Sequence, residues 1–319
     1  MMMRLNANSR LYFSLLIVGL VFSCACNKQE TNNINPQTSS LTYILKNGTN
    51  TSIFYSAVVK GGLDSLFNGP AIFTLMVPND QACNESGFSQ SVINGFSYDQ
   101  ARQWVLYQTY AGTALNYESF IGKTEEKLIM ANGDSVFITG DSNRTFVNGF
   151  QFVSSEAAGN NGTMLALQNV LAPPAMNLAQ MLNTDTSLTF FNQAVSLATP
   201  VPDTLSKTLA EGGPFTLLAP NNDAFRNLGY NSPTDINSIS PDSLRTLVLT
   251  SLIPQRLFSY DVVDSMTVLT VNDSTLIFNL TGLQTTVRVA GSSYSSNFVS
   301  YNTMAINGVL FKTDSLLVH

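Results

Sequence analysis

Groups able to carry catalysis are scarce in this chain. It holds one histidine, His319, at its last position. A Ser-His-Asp triad or a multi-histidine zinc site is therefore excluded within one chain. No Gly-x-Ser-x-Gly elbow and no complete Gly-x4-Gly-Lys-Ser/Thr phosphate loop occurs. Acidic residues are scattered. Glu125-Glu126 is a pair, but Lys127 follows it, and the three read as a solvated turn. Two carboxylates distant in sequence could still meet, as they do in glycosidases, and the sequence alone does not place them. Of the cysteines Cys24, Cys26 and Cys83, only Cys83 lies in the folded part, so no internal disulfide is available. Cys83 reads as a buried apolar side chain rather than a reactive thiol. The expectation is a protein that is not an enzyme and carries no cofactor and no metal.

The elements that hold such residues are organised around a short stretch used twice. Residues 214–225 read Pro-Phe-Thr-Leu-Leu-Ala-Pro-Asn-Asn-Asp-Ala-Phe, and residues 71–83 read Ala-Ile-Phe-Thr-Leu-Met-Val-Pro-Asn-Asp-Gln-Ala-Cys. Pro78 and Pro220 stand 142 positions apart, and Phe73 falls on Phe215 at the same offset. In each copy an apolar strand meets a proline that stops it. Asn79 or Asn221 can then cap a short helix. A chain of 319 residues is long for one core, so two domains of ordinary size agree with the repeat.

These residues resemble the signature block of the fasciclin (FAS1) domain. Thr216 to Phe225 fit it closely; Thr74 to Cys83 fit it with Val77, Gln81 and Cys83 as departures. A second family block, Asn-Gly followed by an apolar strand, appears at Asn161-Gly162 and again at Asn307-Gly308. The offset there is 146, and the extra residues fall in the Ser-rich loop 291–297. The resemblance implies an α+β fold of two tandem wedge-shaped β-sandwich domains, each with helices packed on a mostly antiparallel sheet.

Local patterning agrees. Apolar spacing predicts helices over 41–46, 53–66, 178–182 and 188–197, the last capped by Thr186 or Ser187. Ser97 with Gln100 is a capping box for a helix over 99–110, and Ser240-Pro241 opens another that runs to about 252. The second half of each repeat switches to strand period. Hairpins are predicted around Asn132-Gly133, Asn148-Gly149 and Asn272-Asp273. Ala172-Pro173-Pro174-Ala175 reads as a short stiff linker.

Residues 1–23 read as a leader: Arg4 and Arg10, then an apolar run over 11–22 too short to span a bilayer. The run ends Val21-Phe22-Ser23-Cys24 and resembles a bacterial lipoprotein signal, which implies a lipidated Cys24 as the mature N-terminus. An ordinary secretory signal is the alternative. Ala25 in place of Asp implies the outer membrane of a Gram-negative cell, on either its periplasmic or its cell-surface face. Residues 24–40 are polar and read as a disordered tether. The domain expectation is thus leader 1–23, tether 24–40, first repeat 41–173 and second repeat 174–319.

The fasciclin family's best-known contact is a Tyr-His pair at the end of the helix after the signature. Tyr107 and Gln108 stand there, with the His replaced; Thr250 and Ser251 stand there in the second repeat. Tyr107 and Gln108 are candidate partner contacts, set against a buried Tyr beside a hydrogen-bonded amide. The integrin-type Asp position falls on Glu156 and Asn302, so integrin binding does not transfer. Six Asp-Ser/Thr-apolar triplets, Asp64 and Asp203 among them, look like the O-glycosylation motif of Bacteroidota envelope proteins, or are plain turns and caps. The net charge of −6 and the lack of any Lys/Arg cluster disfavour nucleic acid, and none is expected as a partner. The expected partners are an extracellular or envelope protein or glycan, with the membrane held through the lipid. An accessory glycan-holding role in nutrient uptake is the alternative, and exposed aromatic side chains on one face, with Tyr294 and Tyr301 as candidates, would favour it.

Overall fold

Backbone hydrogen bonds pair the signature strand with the last strand of its own repeat, and each repeat closes on that pairing. The computed structural model describes residues 39–198, 205–282 and 284–318, and for 154–156 the backbone alone. The leader, Cys24, residues 25–38 of the tether, Asp203-Thr204 and His319 lie outside the described residues, as does the Glu156 side chain.

The first repeat runs α1 (Leu41–Asn47), α2 (Ser52–Lys60), α3 (Asp64–Phe67), β1 (Phe73–Pro78), α4 (Asp80–Glu85), α5 (Gln90–Gly95), α6 (Tyr98–Tyr107), β2 (Thr109–Ala111), β3 (Glu126–Ile129), β4 (Ser135–Gly140), β5 (Thr145–Val147), β6 (Phe150–Gly159) and β7 (Gly162–Leu167). The second runs α7 (Leu178–Thr184), α8 (Thr189–Leu197), α9 (Leu205–Glu211), β8 (Phe215–Pro220), α10 (Asn222–Arg226), α11 (Pro241–Thr250), β9 (Leu252–Ile253), β10 (Thr267–Leu269), β11 (Thr275–Thr281), β12 (Gln284–Val289), β13 (Ser296–Ala305) and β14 (Gly308–Thr313). The sheet orders are β2-β1-β7-β6-β5-β4-β3 and β10-β11-β12-β13-β14-β8-β9. β1–β7 and β14–β8 are parallel and the other pairs antiparallel, so both repeats are α+β with a mixed, mostly antiparallel sheet.

Each sheet has two apolar layers to cover. In the first repeat Phe54, Val58, Leu75, Val77, Trp104 and their neighbours pack the helices against one face. Met76, Tyr107, Val136, Ile138, Val147 and Leu165 fill the space between the two halves of the sheet. Leu75 and Met76 alternate between these cores, as a pleated strand requires. The second repeat divides in the same way, with Leu217 on the helical side and Leu218 on the other.

The repeated polar residues hold these layers in register. Asn161 accepts from Leu41 N at 2.9 Å and donates to Phe67 O at 2.7 Å and Gly69 O at 2.9 Å. Asn307 accepts from Leu178 N and donates to Leu209 O and Gly212 O in the same way. The Asn thus ties the first helix of its repeat to the turn before the signature strand. The glycine that follows is required by contact: a Cβ on Gly162, at φ 144°, would sit 1.9 Å from Phe73 O. Thr74 Oγ1 donates to Thr113 O and accepts from Leu115 N; Thr216 Oγ1 repeats this with Gln255 O and Leu257 N. Asn79 and Asn221 cap α4 and α10 through Ala82 N and Ala224 N, as the sequence predicts.

Several local expectations change in detail. The predicted helix over 53–66 is two helices, because Gly62 takes φ 63° and turns the chain between α2 and α3. Neither Thr186 nor Ser187 caps α8; those residues form a 3-10 turn, and Asn222 Oδ1 accepts from Phe190 N at 3.2 Å instead. Asp80, at the equivalent position, accepts from Ser52 N and Ile53 N at the start of α2. The capping box at Ser97–Gln100 and the Ser240-Pro241 start are present. Asn148 (φ 48°) and Gly149 (φ 83°) make the two-residue turn of the β5–β6 hairpin. The offset between repeats is 140 at Val147 and Val287 and 146 at Phe152 and Phe298, which places the insertion in the β12–β13 connection.

Candidate binding surfaces

Tyr107 closes α6, and its side chain enters the inner core rather than solvent. Its hydroxyl donates to Ser135 O at 3.2 Å and accepts from Asn148 Nδ2 at 3.1 Å. Burial pushes its phenol up to about 12, against the lowering effect of the Asn148 bond. Gln108 is also fully buried. Its Nε2 reaches Trp104 O at 3.5 Å, and among the described residues its Oε1 has no partner. Its backbone carbonyl accepts from Met76 N at 2.8 Å, as Ser251 O accepts from Leu218 N. Direct partner contact through Tyr107 and Gln108 is therefore not what this arrangement offers: both are enclosed, Tyr107 tying the end of α6 to β4 and the β5–β6 turn and Gln108 tying it to β1.

Tyr107 does lie beside a second feature, a junction between the repeats, which both belong to one compact unit. The Tyr260 ring stacks on Phe146 at 4.5 Å between centroids, and its hydroxyl donates to Thr139 Oγ1 at 2.6 Å. The Arg256 guanidinium lies 3.8 Å from the centroid of the Phe137 ring. Asn302 Nδ2 donates to Gly149 O at 3.1 Å and to Ser259 Oγ at 2.8 Å, while its Oδ1 accepts from Ser259 N. The chain is thus joined by more than the stiff linker read from Pro173-Pro174.

Two carboxyls face this junction. Glu125 corrects the solvated-turn reading: its side chain is part-buried, and its Oε1 is buried without a hydrogen bond among the described residues, as is Arg256 Nε. Burial raises the Glu125 carboxyl above its usual range, with Asp261 adding to the rise and Arg256 opposing it. Burial also raises Asp261, against a bond from Phe258 N. The same desolvation lowers Arg256. Glu125 thus responds to both the Asp261 carboxylate and the Arg256 guanidinium, which makes this contact sensitive to protons. Local sequence gave no signal for it beyond the aromatics Phe258 and Tyr260, because its members come from three segments far apart in the chain.

The remaining candidates are surface groups. Tyr294, in the inserted β12–β13 connection, is 74% exposed, and Tyr301 on β13 is 55% exposed. Tyr301 borders a groove of about 420 Å³ between the repeats, shared with Phe88, Phe150, Pro173 and Met304. Cys83 is buried in the helical core, and burial with nearby Asp80 pushes its thiol up to about 12. Among the described residues no three His, Cys, Asp or Glu side chains cluster as a metal site. No helix among them is long and apolar enough to cross a membrane.

The class defined by this duplicated scaffold can now be compared with known proteins. The family model for the Fasciclin domain matches residues 49–173 and 187–319, and the chain belongs to that family as a tandem pair. Among solved structures it is similar to a FAS1 domain pair from the insect cell adhesion molecule Fasciclin I. The identity is 14% and the TM-score 0.41, over 83% of this chain and 96% of that one. Fasciclin domains occur in adhesion and binding proteins, so membership supports a binding role over a catalytic one.

Proposed function

We propose that the chain is a non-enzymatic binding or adhesion lipoprotein of the cell envelope, whose two fasciclin domains contact proteins or glycans outside the cytoplasm. One observation carries this reading. The polar residues of both signature blocks, Thr74, Asn79, Asp80 and Asn161 with their counterparts Thr216, Asn221, Asn222 and Asn307, all serve to hold the scaffold. What remains for function is the exposed surface. In this reading Cys24 carries the lipid, residues 24–40 form the tether, and the repeats occupy 41–173 and 174–319. The anchor places them at the outer membrane, on its periplasmic or cell-surface face.

The test has two arms. Metabolic labelling with a clickable palmitate should mark the wild type and not Cys24→Ala, and protease shaving of intact cells then reports the face. Immobilised protein should show saturable capture from solubilised envelope glycans or envelope proteins; absence of capture from both contradicts the binding role. A second reading, an accessory that holds glycan near an outer-membrane transporter, is favoured by exposed Tyr294 and Tyr301. Co-purification with a transporter after crosslinking separates it from the first.

A further inference from the structure

The repeats are not equal at one place. In each, a cleft lies between the loop after β2 or β9, the hairpin turn opposite it and the long strand β6 or β13. Phe152 and Phe298 line the two clefts at equivalent positions, as do Thr145 and Thr285, and Tyr117 and Ser259. The cleft of the second repeat is small, about 170 Å³, whereas that of the first is about 690 Å³. The turn does not account for the difference: Asp141 N donates to Arg144 O at 2.9 Å, at the positions equivalent to the Thr281–Gln284 pair, so the hairpin has the same length in both repeats. The long strand is irregular at the same point in both repeats, with register breaks between Phe152 and Glu156 and between Phe298 and Thr303. Such bulges re-aim side chains and concentrate beside functional sites.

The larger cleft has the chemistry of a sugar site. Its floor is apolar and partly aromatic: Tyr117, Phe152 and Val153, with exposed Ile121 at the edge. Phe152 is fixed from behind by a stacked Phe120 at 5.8 Å, and Tyr117 by its hydroxyl bond to Val153 O. Its rim carries Glu118, Asn143, Gln151 and Gln168, and among the described residues the side chains of these four have no internal hydrogen-bond partner. Amides of this kind donate to and accept from vicinal hydroxyls and the carboxylate accepts from them, while the apolar floor takes the C–H face of a pyranose ring. Neither Lys nor Arg lines the cleft. Arg144, between lining residues Asn143 and Thr145 in sequence, is held by Asp141 at 3.3 Å and lies over the Phe146 ring. An anionic ligand would meet the Glu118 and Asp141 carboxylates with no counter-charge.

We infer that the first repeat binds one or two residues of a neutral glycan in the cleft between Tyr117–Phe120, residues 141–145 and β6, and that the second repeat does not bind at its counterpart. This rests on the binding reading above and names its ligand class and its place. The volume fits a mono- or disaccharide, within the usual range for small-ligand pockets.

The experiment is calorimetric titration of the purified protein with soluble malto-, cello-, manno-, galacto- and xylo-oligosaccharides, and with oligogalacturonate as the charged comparison. At least one neutral series should bind, with the uronate at least tenfold weaker. The double variant Gln151→Ala/Gln168→Ala should weaken binding tenfold or more, and so should Ile121→Glu, whose exposed position leaves the fold intact. Tyr301→Ala should bind as the wild type does. Equal binding by wild type and both cleft variants overturns the placement and leaves the binding reading standing. No binding of any neutral series overturns the inference itself. If protein fractions of the envelope are still captured, the broader reading survives; if nothing is captured, both fall.

Discussion

Asn161 and Asn307 show how much one side chain holds in this fold. Each satisfies one backbone donor and two backbone acceptors contributed by segments roughly a hundred positions away. Replacing Asn161 with Ala leaves Leu41 N, Phe67 O and Gly69 O without that partner. An unsatisfied buried polar group costs about 1–3 kcal/mol, so a total loss near 3 kcal/mol is expected in urea unfolding. A loss below about 1 kcal/mol would mean that water replaces the amide. Cys83 gives a second residue-scale prediction. Its thiol is buried and shifted to about 12, so it should react with an aromatic disulfide reagent only as the protein unfolds. The Asn-Gly pairs were visible in the sequence as a repeated block. Their three-way bonding was not, because the partners are backbone atoms of sequence-distant turns that no local pattern identifies.

At the scale of elements, most local signals held, the Thr186/Ser187 cap and the unbroken helix over 53–66 excepted, and the distant ones were hidden. Asn79 and Asn221, Ser97 with Gln100, and Ser240-Pro241 cap helices that start within three residues of them, so spacing alone revealed them. Asp80 and Asn222 cap α2 and α8 from about thirty residues away, and only the folded chain shows it. The parallel pairing of β1 with β7 was hidden for the same reason. Asp80→Ala removes a charged acceptor from Ser52 N, Ser52 Oγ and Ile53 N and should cost about 1–2 kcal/mol. Asp80→Asn keeps one of the two accepting oxygens, as Asn222 does naturally, and should cost less, about 0.5–1 kcal/mol, through the second acceptor and the lost interaction with the helix N-terminus. Thermal or urea unfolding of the two variants checks this, and equal losses would contradict the remote-cap assignment.

For the whole molecule, the junction of the repeats sets the coupling between them. The Phe146–Tyr260 stack should show about 1 kcal/mol of coupling in a double-mutant cycle, since stacked aromatic pairs contribute about that much beyond area. The junction is also sensitive to protons. Glu125 and Asp261 have raised values in the folded protein, so folding favours their protonated forms. The stability they add is complete below the ordinary carboxylate range and is lost as pH rises through their raised values. Asp185 and Asp314 work the other way. Burial raises each carboxyl, but hydrogen bonds, with Lys312 at Asp185, outweigh it and lower the net value, so their contribution is lost as pH falls. The contribution of these four groups should therefore peak near the ordinary carboxylate range, and Glu125→Gln should flatten the decline above it. A melting profile in which that variant declines as steeply as the wild type would exclude the Glu125 contribution. The tandem architecture was legible from the repeated signature, whereas the junction was not: Arg256, Tyr260 and Glu125 are ordinary residues until the fold brings them together.

The central claim is that the chain binds and does not convert. The most direct measurement is equilibrium capture of solubilised envelope glycans and proteins on the purified protein, with captured material released and compared by mass before and after several hours of contact. The account predicts saturable capture and release of chemically unchanged ligand. Failure to capture anything saturably, or recovery of a converted product, would contradict it.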